Sequence, residues 1–218
     1  MTEAQITQLA ALLQRLETVV AKLEGGKGST ESKPSGSGKA PQVDAYTEYF
    51  NASVAPFLAN CRDIGGDLNG LADLVEEGFK EVGKLIDVAS QSKKPSDEEF
   101  GEMVGPIANV FQKITEYKDK RRGSEYYNHE FAVDEGIKCL AWVTIDKTPV
   151  AYTKEMVNAA QFYNNKVLVA YKNKDKRHAD YVEGFKKAIA DLADYIKEHH
   201  TTGLKWNPNG GSYKDAKV

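Results

Sequence analysis

Residues 96–117 read SDEEFGEMVGPIANVFQKITEY. Ser96 followed three places on by Glu99 is a capping box: each side chain can satisfy a backbone N–H that the first helical turn leaves without a partner. A stripe follows at Phe100, Met103, Val104, Ile107, Val110, Phe111, Ile114 and Tyr117, spaced by threes and fours. That is the period of one long amphipathic helix, with Pro106 placed to kink it. So wide an apolar face has to be covered by other elements.

The flanking residues supply them. Upstream, Leu68, Leu71, Val75, Val82, Leu85 and Ala89 mark another helix at heptad-like spacing. Before it, Tyr46, Tyr49, Phe50, Val54, Phe57, Leu58 and Cys61 mark a helix that Pro56 should bend. Downstream, a fourth helix is predicted from about Glu125 through Phe131, Val133, Ile137, Leu140 and Ala141 to Trp142 and Val143. Thr148-Pro149 precedes a fifth, with Met156, Ala159, Ala160, Tyr163, Val167 and Ala170. Tyr181, Phe185, Ala188, Ile189, Leu192, Tyr195 and Ile196 mark a sixth. Only residues 142–145 and 166–170 would pass as short strands, and both adjoin helical periods. The reading is an all-α antiparallel six-helix bundle of up-and-down topology over residues 43–200, followed by an irregular tail, 201–218, with Trp206 as its anchor.

The N-terminal end is organised differently. Ile6, Leu13 and Val20 take the a positions of a heptad, and Leu9, Leu16 and Leu23 the d positions. Such a seam has nothing to bury against in its own helix and asks for copies of itself, so residues 1–24 are expected to be an oligomerising coiled coil. β-Branched residues at a with Leu at d favour two strands, whereas Leu12 and Val19 at g widen the stripe and favour more. Residues 25–42 hold five Gly, four Ser and two Pro and no large apolar side chain. They read as a flexible linker with a reach of roughly 20–25 Å.

Composition narrows the function. A formal charge of −3 over 218 residues carries no global basic field, so nucleic acid is not an expected partner. No run approaches the roughly 20 apolar residues that span a bilayer, and no secretory leader is legible at the start. Cys61 and Cys139 each lie on an apolar stripe and read as structural thiols. A cytoplasmic protein is the expectation. Chemistry is hard to find: His129, His178, His199 and His200 form no Glu-x-x-His pair or H-E-x-x-H. Asp175-x-x-His178 reads as a capping turn rather than a ligand pair. No metal, cofactor or catalytic residue is assigned, and the chain is not expected to be an enzyme.

Surface charge remains. Lys118, Lys120, Arg121 and Arg122 close one helix, and Lys172, Lys174, Lys176 and Arg177 fill a turn. Cations favour helix C-termini through the macrodipole, which accounts for such groups without any partner. In an up-and-down bundle, though, both groups fall at the same end, where they could face an acidic partner.

Several motifs carry a resemblance. Arg122-Gly123-Ser124, Tyr127-Asn128-His129, Leu140-x-Trp142-Val143, Lys154-Glu155-Met156, Phe162-Tyr163-x-Asn165 and Val167-Leu168 resemble the helical folded domain of cyclase-associated proteins. So do Ala89-Ser90-Gln91, Lys93-Lys94-Pro95 and, most tellingly, Tyr195-Ile196-Lys197-Glu198-x-His200-Thr201-Thr202-Gly203-Leu204-x-Trp206. Arg15-Leu16-Glu17, within the heptads, is similar to the family's RLE motif. The resemblance implies actin and cofilin as partners, filament disassembly from pointed ends, and an association with the cytoskeleton. It further implies an N-terminal homo-oligomer and, in some members, contact of Arg15, Leu16 and Glu17 with adenylyl cyclase. Carried over residue by residue, it marks Gln91, Ser92, Lys93, Lys94, Arg122, Ser124, Asn128 and Lys166 as partner-facing. The alternative is a signalling scaffold whose heptad helix docks the cyclase while the bundle is passive. Departures fall around the fifth helix: Lys166 stands where the family has Arg, and Val169-Ala170 replaces a charged pair. A lysine cannot reproduce a bidentate carboxylate contact.

Overall fold

The structure is a computed structural model that describes residues 39–217. The heptad helix, its a and d positions Ile6, Leu9, Leu13, Leu16, Val20 and Leu23, the Arg15–Glu17 motif and most of the linker lie outside the described residues.

Helix α1 (Pro41–Tyr49) passes through one π-helical turn, Phe50–Val54, into α2 (Ala55–Ile64). The widened turn answers Pro56, whose ring would strike the carbonyl four residues earlier in a regular helix. The expected bend is therefore a π turn just before the proline. Short connections then lead to α3 (Leu68–Gln91) and α4 (Asp97–Asp119). The capping box forms as the sequence requires, Ser96 Oγ accepting from Glu99 N–H at 3.3 Å and Glu99 Oε2 from Ser96 N–H at 3.2 Å. The helix continues unbroken through Pro106, which faces solvent, where water can take up the carbonyl it leaves without a donor.

Helix α5 (Tyr127–Gly136) is shorter than the single helix expected, because Ile137–Thr144 continues as a 3-10 helix. Gly136 sits at the change. A Cβ there would lie 2.6 Å from Phe185 Cε1, so the chain comes closer to the core than any other residue would permit. Last come α6 (Pro149–Tyr171) and α7 (Arg177–His199). Of the stretches that would pass as strands, 166–170 is helical and 142–145 is helical up to Thr144, and among the described residues the one β-type pairing is an isolated bridge between Ser92 and Gly211.

Successive elements pack against one another, and the α1–α2 rod contacts both α3 and α7, closing the ring into a six-rod bundle. Trp142, Tyr181, Phe57, Phe79 and Phe185 are fully buried at its centre, with Phe57 5.1 Å from Tyr181 and 5.0 Å from Phe185 between ring centroids. Buried tyrosines spend their hydroxyls on backbone carbonyls: Tyr46 donates to Phe79 O, Tyr49 to Ala188 O and Tyr195 to Gln42 O. Cys61 and Cys139 are buried and free, and burial pushes both thiols up.

The tail has no regular element longer than the 3-10 turn Tyr213–Asp215, but hydrogen bonds hold it against α3. Asn207 N–H donates to Ala89 O and Ser92 O, its side-chain amide to Ser90 O, and Gly211 N–H to Gln91 O. These are the carbonyls that a helix C-terminus leaves open. Trp206 anchors as expected, edge-on to Phe100 at 5.9 Å.

Candidate partner-binding surfaces

Alternating helix directions give the bundle two ends. At one, α2 finishes, α3 starts, α4 finishes, α5 starts, α6 finishes and α7 starts; at the other stand residues 92–96, the end of the 3-10 helix and the end of α7. With 24 residues in α3, the two are roughly 35 Å apart. The eight residues marked by resemblance therefore divide. Gln91, Ser92, Lys93 and Lys94 lie at the 92–96 end. Arg122, Ser124 and Asn128 lie at the opposite end, and Lys166 is five residues short of the α6 terminus on that side.

At the 92–96 end, Lys93 and Lys94 are exposed, Lys94 reaching Asp146 at 3.9 Å. Gln91 is half-buried and bound to the tail: its amide donates to Asp87 Oδ1 and Lys217 O, and its Oε1 accepts from Lys217 N–H. Ser92 corrects the expectation. It is 0% exposed and its Oγ has no hydrogen-bond partner, because the tail covers it through the Gly211 bridge. Its side chain is thus turned away from any partner.

At the other end, the two basic groups do meet, but most of the charge is spent internally. Lys118 is buried, its Nζ 2.5 Å from Asp134 Oδ2 and 4.1 Å from the Phe131 ring centroid. Arg121 pairs with Asp67 at 3.4 Å, Arg122 with Asp119 at 3.5 Å, Lys176 with Asp180 at 2.6 Å and Arg177 with Asp175 at 2.6 Å. The basic end of the sequence reading is a mixed-charge surface: Asp119, Asp175 and Asp180 pair with cations next to them in sequence, and Asp67 and Asp134 reach in from other segments. Arg122 remains exposed. Ser124 caps locally instead, donating to Asp67 Oδ2 at 2.8 Å and accepting from Tyr126 N–H. Asn128 is half-buried; Lys166 is exposed over the Phe162 ring.

Beneath this end lies a polar cluster that sequence reasoning did not find. His129 Nε2 is 2.8 Å from His178 Nδ1, and Tyr171 stacks on His178 with centroids 3.5 Å apart. Burial, then the neighbouring imidazole, lowers His129 to about 3; burial also lowers His178. Next to His129, Glu130 is fully buried with neither carboxylate oxygen hydrogen-bonded, and burial together with Asp67 raises it to about 7 against the pull of Arg121. Asp175 does form the capping turn expected of it, accepting from Arg177 N–H at 3.0 Å. Among the described residues, no three His, Cys, Asp or Glu side chains converge as metal ligands, and no helix is long and apolar enough to cross a membrane.

Comparison with known proteins gives a consistent picture. Residues 46–204 match the family model described as CAP, N-terminal domain. Adenylyl cyclase-associated protein 2 of Rattus norvegicus is 37% identical over 214 residues, covering 94% of this chain and 45% of the relative. Adenylyl cyclase-associated protein 1 of Homo sapiens is 37% identical over 210 residues, with 94% and 44% covered. The chain thus spans less than half the length of these relatives. Among solved structures, the N-terminal domain of the adenylyl cyclase-associated protein from Dictyostelium discoideum superposes with a TM-score of 0.77 at 32% identity, covering 80% of this chain and 99% of that one. A second crystal structure of a CAP N-terminal domain, described as indicating variable oligomerisation, gives a TM-score of 0.79 at 32% identity, covering 83% of this chain and 97% of that one.

Proposed function

The chain belongs to the adenylyl cyclase-associated protein (CAP) family, and from that premise we propose that its helical domain binds actin filaments together with cofilin and speeds loss of subunits from pointed ends. The observation that carries this reading is the family match across residues 46–204, which includes the exposed cations Lys93, Lys94 and Arg122. Their separation supports two contacts made at once, one at each end of the bundle, so that binding energy can favour a loosened terminal subunit over a seated one. No bond is made or broken. The heptad residues 6–23 would assemble several such domains, raising the effective concentration of the second domain once the first is bound. A cytoplasmic location on the cytoskeleton follows from the same reading.

A filament-end imaging assay with cofilin tests it. The full chain is expected to shorten pointed ends faster, and Lys93→Glu/Lys94→Glu or Arg122→Glu to reduce the effect severalfold while thermal unfolding is unchanged. Intact, folded protein that leaves the shortening rate untouched sinks the reading.

The names of the relatives favour a second role, capture of adenylyl cyclase by Arg15, Leu16 and Glu17. Replacing Arg15 and Glu17 while keeping the apolar seam should abolish capture and leave filament shortening intact.

A further inference from the structure

We propose that the exposed face of α6 is a docking surface for an acidic amphipathic helix of a partner protein. Two large apolar side chains stand out in solvent on this bundle, Phe162 at 61% and Val169 at 78% exposure. They lie seven positions apart on one side of α6, two turns or about 10.5 Å along the axis. Exposed Ala159 and Ala170 continue the row without bulk, leaving room for another backbone to approach. Lys166 sits between the anchors, its Nζ 4.3 Å from the Phe162 ring centroid and 5.4 Å from that of Tyr163.

The charge around this row is one-sided. Past Glu155, which lies seven positions before Phe162 on the same side, residues 156–174 contain no Asp or Glu but carry Lys166, Lys172 and Lys174. Several exposed cations elsewhere are met by carboxylates, as at Arg62, Lys113, Arg122, Lys176 and Lys187. Lys166, Lys172 and Lys174 enter no ion pair among the described residues. Past the end of α6, a cleft of about 400 Å³ lined by Leu168, Tyr171, Lys172, Lys174 and Asp175 continues this surface, the Asp175 carboxylate being taken up by Arg177.

A straight helix with anchors at i and i+7 is best matched by a second helix whose apolar row lies along it, the geometry of helix-on-helix packing. Carboxylates flanking that row would find three lysines that no ion pair already engages, and the apolar contact would shield those pairs from water. An anionic bilayer matches less well. Lipid-binding segments gather about 4–8 cations, whereas three stand here, and the row is bordered by the amides of Asn158 and Asn165. Filament binding is a separate matter; Lys166 is the one residue the two surfaces share.

The test uses two synthetic fluorescein-labelled amphipathic helices of about 18 residues, long enough to form helix when bound. They share their leucines and differ in carrying Glu or Lys on the flanks. With the full chain, anisotropy should report binding of the Glu peptide that weakens as salt rises from roughly 50 to 300 mM. It should also weaken about tenfold or more in Phe162→Ser and in Lys166→Glu, as expected for a contact at the centre of an interface. The Lys peptide should not bind. Failure of the Glu peptide to bind, or binding that survives both substitutions, overturns the proposal. So does phosphatidylserine-vesicle binding that Phe162→Ser abolishes while neither peptide binds.

Discussion

Glu130 concentrates the domain's internal electrostatics in one side chain. A buried carboxylate without donors is held in its protonated form, and here burial outweighs the attraction of Arg121. Its folded-state value of about 7 lies above the ordinary carboxylate range, so the stability it contributes is present at low pH and lost as pH rises through 7. His129 and His200 act in the opposite sense. Burial lowers them to about 3 and about 4, so the stability they confer is present above about 6.5 and lost as pH falls toward those values. Stability should therefore fall off on both sides of a maximum near neutral pH. Glu130→Gln isolates the alkaline limb: urea unfolding should show a gain of roughly 1–3 kcal/mol at pH 8, the cost of a buried polar group without a partner, and little change at pH 5. The buried Lys118–Asp134 pair, joined by Thr115, is the contrasting case of charge that is fully partnered.

Among the elements, the last turn of α3 depends most on residues far away in the chain. Its open carbonyls are satisfied by Asn207 and Gly211, about 115–120 residues downstream. Gly210 is the tightest point of this clasp, since a Cβ there would fall 2.3 Å from Gln91 O. Gly210→Ala should lift residues 207–217 from α3 while the ring of helices persists. Native-state hydrogen exchange should then speed up at Lys93 and Gly211, whose amides donate across the clasp, with no change at buried α7 amides such as Ile189. The sequence points here through Asn207-Pro208-Asn209-Gly210-Gly211, a run rich in turn formers, but a turn signal does not say which helix end the turn will cover.

At the scale of the whole chain, the proposed activity depends on how domains are gathered. If the heptad residues 6–23 assemble several copies, full-length chain should shorten filaments more effectively per domain than residues 43–218 alone, most clearly at low concentration. Filament-end imaging of the two proteins at equal domain concentration checks this. Equal activity would mean that the N-terminal segment contributes no avidity. Sedimentation of residues 1–42 would decide between two strands and more.

Local pattern was enough for much of this protein. The period of apolar residues between Tyr46 and Ile196 determined the helices and their order, because a helix must bury one face whatever its neighbours are. The Ser96/Glu99 box determined where α4 starts, since its hydrogen bonds close within one turn. Short connections were sufficient to place Lys118–Arg122 and Lys172–Arg177 at a common end. What several of those cations do there was decided by tertiary structure: Asp67, Asp134 and Asp63 reach Arg121, Lys118 and Arg177 from other segments, and no spacing in the sequence reveals those pairings. Burial of Ser92 beneath the tail, the His129–His178 contact and the stranded carboxyl of Glu130 were decided the same way. Each depends on two or more segments meeting in space, and a one-dimensional pattern holds only the half of such a contact that lies within its own segment.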